Sequence, residues 1–157
     1  MLSFLGEYDV KVDSKGRLKL PSGLKKQLHP DNQDKFVLSR GIEEHLNLYP
    51  LNEWNKMVAE INKLNPYVKK NREFVRYFLR GATELILDAN DRLNLPKKLM
   101  DFAGLDKEVV LFAHGNKIEV WSKGRYNDIM EDEPLDFADL AEEVMGNINN
   151  QTTDNND

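Results

Sequence analysis

Cysteine is absent from the 157 residues, which excludes disulfide bonds, zinc ribbons and thiol catalysis. Long apolar runs are absent too. No stretch approaches the ~20 residues that a membrane-spanning helix needs, and the mean hydropathy is -0.62. The first ten residues have no basic segment ahead of an apolar one, which a secretory signal requires. We therefore expect a cytoplasmic protein with no membrane partner.

Catalytic motifs are equally scarce. The sequence has no G-x-S-x-G, Walker A or G-x-G-x-x-G motif. His29, His45 and His114 are not spaced like zinc ligands, and we expect them in loops or at the surface. A dyad of Asp13 and Asp88, as in aspartic proteases, is one catalytic alternative. Neither aspartate is followed by the small residue and glycine that such a dyad needs, so we expect no enzyme activity, no metal and no cofactor.

The charge is unevenly distributed along the chain. Residues 131–157 contain nine acids and no Lys or Arg, whereas residues 1–130 hold all 22 basic residues and the other 18 acids. The net charge of -5 therefore combines a mildly basic body with an acidic tail. Because the acids are segregated in this way, they do not exclude a polyanionic partner for the body.

The sequence also contains an internal repeat with an offset of about 75 residues. Residues 13–21 (DSKGRLKLP) and 88–96 (DANDRLNLP) share five of nine positions, namely Asp, Arg, two Leu and Pro. Two further pairs of apolar segments align at slightly shorter offsets: 36–38 with 109–111, and 46–49 with 118–121. We interpret the chain as a duplicated unit.

Each repeat predicts the same elements. A first strand leads through a polar turn into an alternating strand whose leucines face inward: Leu18 and Leu20, or Leu93 and Leu95. A proline then ends the strand and opens a short helix, with Gly104 as the C-cap in the second copy, and two more strands follow. Further amphipathic helices are predicted at Trp54 to Leu64, 68–79, 126–130 and 135–148. We expect an α+β fold in which both repeats share one core and the helices pack outside.

The Asp-x-x-x-Arg spacing is the most informative feature of the repeat. It places Asp13 or Asp88 at the end of one strand and Arg17 or Arg92 at the start of the next. One interpretation is structural: the Asp caps turn amides and pairs with the Arg at the surface, where an ion pair stabilises little. The other is functional: the Asp holds the Arg rigidly to meet a phosphate or a guanine edge. The two interpretations are compatible, and spacing alone supports both equally.

A second basic feature precedes the second repeat. Residues 69–80 carry five basic residues and one acid. They fit the solvated face of a helix, a subunit contact or a phosphate-facing edge. Arg76 and Arg80 lie four residues apart on one helix face, so we consider that they act together.

These motifs resemble one bacterial family. Two Asp-x-x-x-Arg-Leu-x-Leu-Pro motifs, the start Phe4-Leu5-Gly6-Glu7-Tyr8 and the Arg76-Tyr77-Phe78 segment are similar to MraZ proteins over residues 3–145. The resemblance implies two AbrB/SpoVT-like swapped-hairpin β units that form a pseudo-twofold β-barrel with peripheral α-helices. It also implies a sequence-specific transcriptional regulator that binds short direct repeats in double-stranded DNA upstream of the division and cell-wall gene cluster. Such a protein would be a homo-oligomeric ring in the cytoplasm, associated with the nucleoid.

The resemblance carries over to particular residues. The implied DNA-binding residues are Asp13, Lys15, Arg17 and Lys19 in the first loop, and Asp88, Asn90 and Arg92 in the second. Because Asn90-Asp91 replaces Lys15-Gly16, we expect the second loop to contribute less to DNA affinity. The predicted segments are 1–57 (first unit), 58–80 (helical connector), 81–130 (second unit), 131–150 (acidic helix) and 151–157 (disordered tail). A protein-binding adaptor or antitoxin-type protein remains the alternative function.

Overall fold

The structure, a computed structural model, describes residues 2–132 and 136–154. The chain divides into two compact units, residues 1–123 and 124–157. The strands are β1 (Phe4–Lys11), β2 (Arg17–Lys19), β3 (Lys35–Arg40), β4 (Leu46–Pro50), β5 (Thr83–Ile86), β6 (Arg92–Asn94), β7 (Glu108–Gly115) and β8 (Lys117–Ser122). The helices are α1 (Ser22–Lys25), α2 (Leu51–Ile61), α3 (Lys69–Leu79), α4 (Lys97–Ala103), α5 (Lys123–Glu131) and α6 (Phe137–Asp154), with a 3-10 turn at Pro30–Asn32.

Six strands form one antiparallel sheet in the order β1-β7-β8-β4-β3-β5. The first strand of each repeat pairs with the third strand of the other: β1 with β7, and β5 with β3. Named by repeat, the order therefore reads the same from both edges. The order is symmetric about the β4–β8 pair, and both repeats contribute strands to each half of the sheet.

The remaining strands, β2 and β6, form a two-stranded antiparallel ribbon. Leu18 lies opposite Leu93 at its centre, flanked by the pairs Arg17–Asn94 and Lys19–Arg92. Since successive side chains of a strand point to opposite faces, the ribbon turns its leucines inward and its polar residues outward.

One hydrophobic core serves both repeats. Leu18, Leu20, Leu93 and Leu95 are all buried in it, whereas Lys19 and Asn94 are exposed, as predicted. The same cluster contains residues from every long strand except β5, among them Phe4, Phe36, Leu48, Leu111 and Ile118. The expectation of a single shared core is confirmed.

The α+β class is also confirmed, but no closed barrel is seen. In residues 2–132 and 136–154, no ladder joins the outer strands β1 and β5 of the larger sheet. The short helix α4 begins after Pro96 and ends at Gly104, whose φ of 62° is the left-handed conformation that a C-cap glycine supplies. The predicted five-segment division of the chain stays a prediction.

Helices α2 and α3 pack beside the sheet through aromatic side chains. Trp54 stacks on Phe78 with ring centroids 5.3 Å apart, and it contacts Tyr49 at 5.5 Å. Helix α2 ends at Ile61, three residues before the predicted Leu64. Helix α3 has no buried residue, so much of its apolar surface remains exposed.

The second unit consists of α5 and α6. The helix predicted at 126–130 is α5, which begins at Lys123. The last predicted helix is α6; its predicted first residue, Leu135, lies outside the described residues. Helix α6 continues to Asp154, so residues 151–154 are helical where the sequence predicted the start of a disordered tail. Residues 155–157 lie outside the described residues.

His45 is buried, which corrects the expectation that it lies at the surface. Its ring stacks on Trp121 at 4.3 Å, and its Nε2 lies 3.1 Å from Asn47 Oδ1. Burial lowers the pKa of His45, and Lys117 acts in the same direction; Glu119 and Glu43 oppose them. The ring is therefore neutral at pH 7.

Glu119 lies next to this ring. Burial raises its pKa, but hydrogen bonds from His114 (2.7 Å) and the Trp121 indole (2.9 Å) outweigh burial, so the pKa is lowered overall.

Among the described residues, no helix is long and apolar enough to cross a membrane. Within the same residues, no group of His, Asp and Glu side chains is arranged to hold a metal ion.

Candidate nucleic-acid interface

The first Asp-x-x-x-Arg turn is built around the carboxylate of Asp13. Its Oδ1 accepts hydrogen bonds from the amides of Lys15 and Arg17, both at 2.9 Å. Its Oδ2 accepts from Arg17 Nε at 2.7 Å. One carboxylate therefore closes the turn and orients the guanidinium at the same time.

The second turn repeats this geometry. Asp88 Oδ1 accepts from the amides of Asn90 (2.8 Å) and Arg92 (2.9 Å), and Oδ2 accepts from Arg92 Nε at 3.0 Å. The side chains of Arg17 and Arg92 are exposed to nearly the same degree, 30% and 29%. The structural interpretation of the motif is thus confirmed in both copies, and it supplies what the functional one requires, a fixed arginine.

Both carboxylates stay ionised at neutral pH. The Arg17 amide does most to lower the pKa of Asp13; partial desolvation opposes it, and the Arg17 side chain and Lys15 amide lower the pKa further. The Arg92 amide has the same leading effect on the pKa of Asp88. Each arginine therefore keeps a charged partner until the pH falls well into the acid range.

The two turns meet at the β2–β6 ribbon. The Leu20 amide donates to the Asp91 carbonyl, and the Leu95 amide donates to the Gly16 carbonyl, both at 2.8 Å. These reciprocal bonds fasten each turn to the strand of the other repeat. As a result, Arg17, Lys19 and Arg92 share the outer face of one ribbon, with Lys15 and Asn90 exposed at the two turn tips.

Gly16 and Asp91 occupy equivalent positions, and both have left-handed backbone conformations, with φ of 78° and 60°. The Asp91 carboxylate bonds Lys25 Nζ at 2.6 Å, and this bond raises the pKa of Lys25. The expectation that the second loop contributes less rested on the replacement of Lys15-Gly16 by Asn90-Asp91, which removes a lysine and adds the Asp91 charge. Because Lys25 largely neutralises that charge, the two turns are electrostatically closer than their sequences suggest.

Sequence reasoning did not single out Lys25. Lys25 lies 66 positions before its partner, in a helix of only four residues. Its relevance depends on the cross-repeat pairing, for which the sequence carries no local signal. Arg76 and Arg80 are not brought into one site: Arg76 lines a cavity with Arg72 and Ile61, whereas Arg80 lines others.

Comparison with known proteins shows the family. The model for "MraZ protein, putative antitoxin-like" matches residues 3–77 and 78–148, one match for each repeat. Proteins named transcriptional regulator MraZ from Christiangramia forsetii and Flavobacterium psychrophilum are each 49% identical, over 94% and 95% of this chain and 96% of those proteins. One of the same name from Cytophaga hutchinsonii is 39% identical over 90% of this chain and 94% of its own length. The resemblance first suggested by the paired Asp-x-x-x-Arg motifs is therefore confirmed, and the chain belongs to the MraZ family.

Proposed function

We propose that this protein is a transcriptional regulator that binds double-stranded DNA sequence-specifically through the β2–β6 ribbon and its two turns. The observation that carries the proposal is the outer face of the ribbon, where Arg17 and Arg92 are each held by an aspartate. The relatives' name, transcriptional regulator, agrees with this function.

The held arginines have donors left for a ligand. Each arginine donates its Nε–H and its backbone N–H to the carboxylate of its aspartate. The Nη groups are therefore left to donate to an external acceptor. A guanidinium fixed in this way presents the planar fork that matches guanine O6 and N7 or a phosphate. Arg17 and Arg92 are accordingly the base-reading candidates, and Lys15 and Lys19 are candidates for phosphate contacts.

The shape of the site also suits DNA. The major groove of B-DNA is about 12 Å wide and admits a two-stranded β-ribbon. Around the ribbon, the cations Lys15, Arg17, Lys19, Lys25 and Arg92 outnumber the carboxylates of Asp13, Asp88 and Asp91, each of which is bonded within the protein. The face therefore attracts a polyanion even though the whole chain has a net negative charge.

The finer parts of the proposal follow from family membership. The DNA targets are short direct repeats upstream of the division and cell-wall gene cluster, and the protein acts in the cytoplasm at the nucleoid. It is a homo-oligomer, closed as a ring. The exposed aromatic surface of α3, with Phe74 51% and Tyr77 73% exposed, supports a subunit contact there. Several ribbons on one assembly would bind tandem sites with a high effective concentration.

The proposal is tested by salt-titrated fluorescence anisotropy on the chain's own upstream DNA and on a scrambled duplex. Arg17→Ala and Arg92→Ala should each weaken operator binding by about fivefold to 150-fold, because each bidentate contact contributes about 1–3 kcal/mol. A lost phosphate contact lowers the salt slope by about one unit. We expect the larger effect from Arg17→Ala, because Lys15 and Lys19 accompany Arg17, whereas Asn90 and Asn94 take their places around Arg92.

Lys63→Ala is the charge-matched control, since Lys63 is exposed just after α2 and belongs neither to the ribbon nor to its turns. It should bind both duplexes as the unchanged protein does. Light scattering on each variant checks that the oligomer is intact. If folded, oligomeric Arg17→Ala and Arg92→Ala proteins bind the operator normally, the motif is only structural, and the adaptor or antitoxin alternative gains support.

A further inference from the structure

A cluster of cations outside the ribbon surrounds a cavity of about 450 Å³ between the end of β3 and the start of α4. Four of its lining residues are cationic: Arg40, Arg80, Lys97 and Lys98. The other lining residues are Gly81, Thr83, Pro96 and Leu99, so none of the described residues in the wall carries a carboxylate. In the part of the chain that the structure describes, none of the four cations has an ion-pair partner within 4.0 Å.

Arg40 is the least satisfied member of this cluster. Its Nε is buried, and no described residue offers it a hydrogen-bond partner. The guanidinium carbon lies 4.5 Å from the centre of the Phe102 ring, so an aromatic face covers one side. A buried N–H without an acceptor loses its hydration without compensation. Arg40 therefore lines the cavity as a cation whose Nε–H lacks an acceptor.

The main chain approaches Arg40 closely at Gly81. A Cβ on Gly81 would lie 3.7 Å from Arg40 Nε and 3.2 Å from Leu99 Cδ2, and φ there is 77°. The neighbouring Thr83 hydroxyl donates to the Gly81 carbonyl at 2.9 Å, which fixes this bend. A constrained glycine segment thus forms part of the wall beside Arg40.

We propose that this cavity is an anion site that takes a phosphate group. Two guanidinium groups supply planar pairs of donors, and two lysines supply point charges, a combination that suits a tetrahedral dianion. A phosphate carries a charge of about -1.5 to -2 at pH 7 and has three strong acceptor oxygens. A carboxylate has a single charge and two oxygens, so a phosphate matches four cations better. The phosphate belongs either to a small free molecule or to a DNA backbone, and the site is independent of the Asp-x-x-x-Arg turns.

The first experiment uses the full-length protein and inorganic phosphate. Phosphate is titrated against chloride at constant ionic strength while the amide NMR signals of Gly81, Thr83 and Leu99 are followed. In the unchanged protein these signals should shift saturably. Arg80→Gln should weaken the affinity about tenfold, as expected for one charge-assisted hydrogen bond. The control Lys63→Gln removes an equal charge elsewhere and should stay within twofold of the unchanged protein.

Arg40→Gln should have the larger effect on phosphate binding. Because Arg40 is half-buried, the thermal unfolding of the Arg40→Gln protein is compared with that of the unchanged protein. If Arg40→Gln does not fold, the test rests on Arg80→Gln, since Arg80 is exposed. The proposal is overturned if phosphate causes no saturable shift at these amides. It is equally overturned if folded Arg80→Gln binds phosphate as tightly as Lys63→Gln.

The second experiment distinguishes the two sources of phosphate. If the site takes a DNA phosphate, Arg80→Gln lowers the salt slope of binding to a scrambled duplex by about one unit. If it takes a small free phosphate compound, Arg80→Gln and Lys63→Gln bind that duplex alike while phosphate binding is still lost in Arg80→Gln. Either result supports the phosphate site. The phosphate titration needs no DNA, so it stands even if the ribbon fails to bind DNA.

Discussion

Leu18→Ala and Leu93→Ala should each lower the free energy of unfolding by about 3 kcal/mol, and by nearly equal amounts. Both side chains are essentially inaccessible, at 1% and 0% exposure, and they lie opposite each other at the centre of the ribbon. Burial of this kind gives losses of about 2–5 kcal/mol for Leu→Ala, because the cavity is only partly refilled. The two leucines occupy equivalent positions in the two repeats and are equally buried, so the losses should match.

The double variant tests whether the two repeats share one core. The two cavities adjoin, so the losses should be non-additive by about 0.5 kcal/mol or more. Urea unfolding followed by circular dichroism at fixed protein concentration is the assay. With a slope of about 2 kcal/mol per molar, each single change lowers the midpoint by about 1.5 M.

Leu5→Ala is the matched control, since Leu5 is 79% exposed on β1. Its effect should stay within about 0.5 kcal/mol. Two features of the data would refute the reasoning. One is a large loss at one leucine with little loss at the other, which would mean that the repeats are not equivalent. The other is two separate transitions, which would mean separate cores.

Two further predictions concern charge. Burial lowers the pKa of His45 in the folded protein, so the unfolded chain binds the extra proton. The free energy of unfolding should therefore fall as the pH drops below about 6.5, and His45→Gln should flatten this dependence in urea titrations at pH 5.5 and 7.5. Asp91→Gly should tighten binding to a scrambled duplex at low salt because it frees Lys25. The melting temperature of the variant should change little, because glycine relieves about 1 kcal/mol of strain in the left-handed backbone at position 91, which offsets the lost ion pair. Weaker binding by a folded Asp91→Gly protein would contradict the assigned role of Lys25.

Much of the fold could be predicted from the sequence because the repeat supplies each signal twice. The alternation around Leu18 and Leu93 predicted the inward faces of the ribbon, and Gly104 predicted the end of α4. Local periodicity and turn chemistry act within a few residues, so one sequence is enough to read them. The Asp-x-x-x-Arg turn belongs to the same class, since every bond in it spans four residues or fewer.

Contacts between distant residues could not be predicted in the same way. The Lys25–Asp91 ion pair and the burial of His45 against Trp121 both depend on pairings between the repeats. Their residues look like an ordinary surface lysine and a loop histidine until the strands are placed. The cavity around Arg40 is a third case, because its four cations come from β3, the end of α3 and the start of α4.

The duplication has a consequence that an assembly of two identical single-repeat chains could not have. Position 16 corresponds to position 91, and position 25 corresponds to position 100. At one turn the contact joins Asp91 to Lys25 as an ion pair of 2.6 Å. At the other, a Cβ on Gly16 would lie 3.6 Å from Met100 Sδ.

In a symmetric pair of identical chains, both contacts would have the same chemistry, because each residue would occupy both positions. Within one chain, positions 16 and 91 can hold different residues, provided that each residue fits the contacts at its own turn. The Asp91 carboxylate is acceptable at the turn because Lys25 neutralises it, and Gly16 needs no such partner because it has no side chain. The two turns thus reach the same result by different chemistry: each presents its arginine without an unpaired carboxylate beside it, which a surface that binds a polyanion requires.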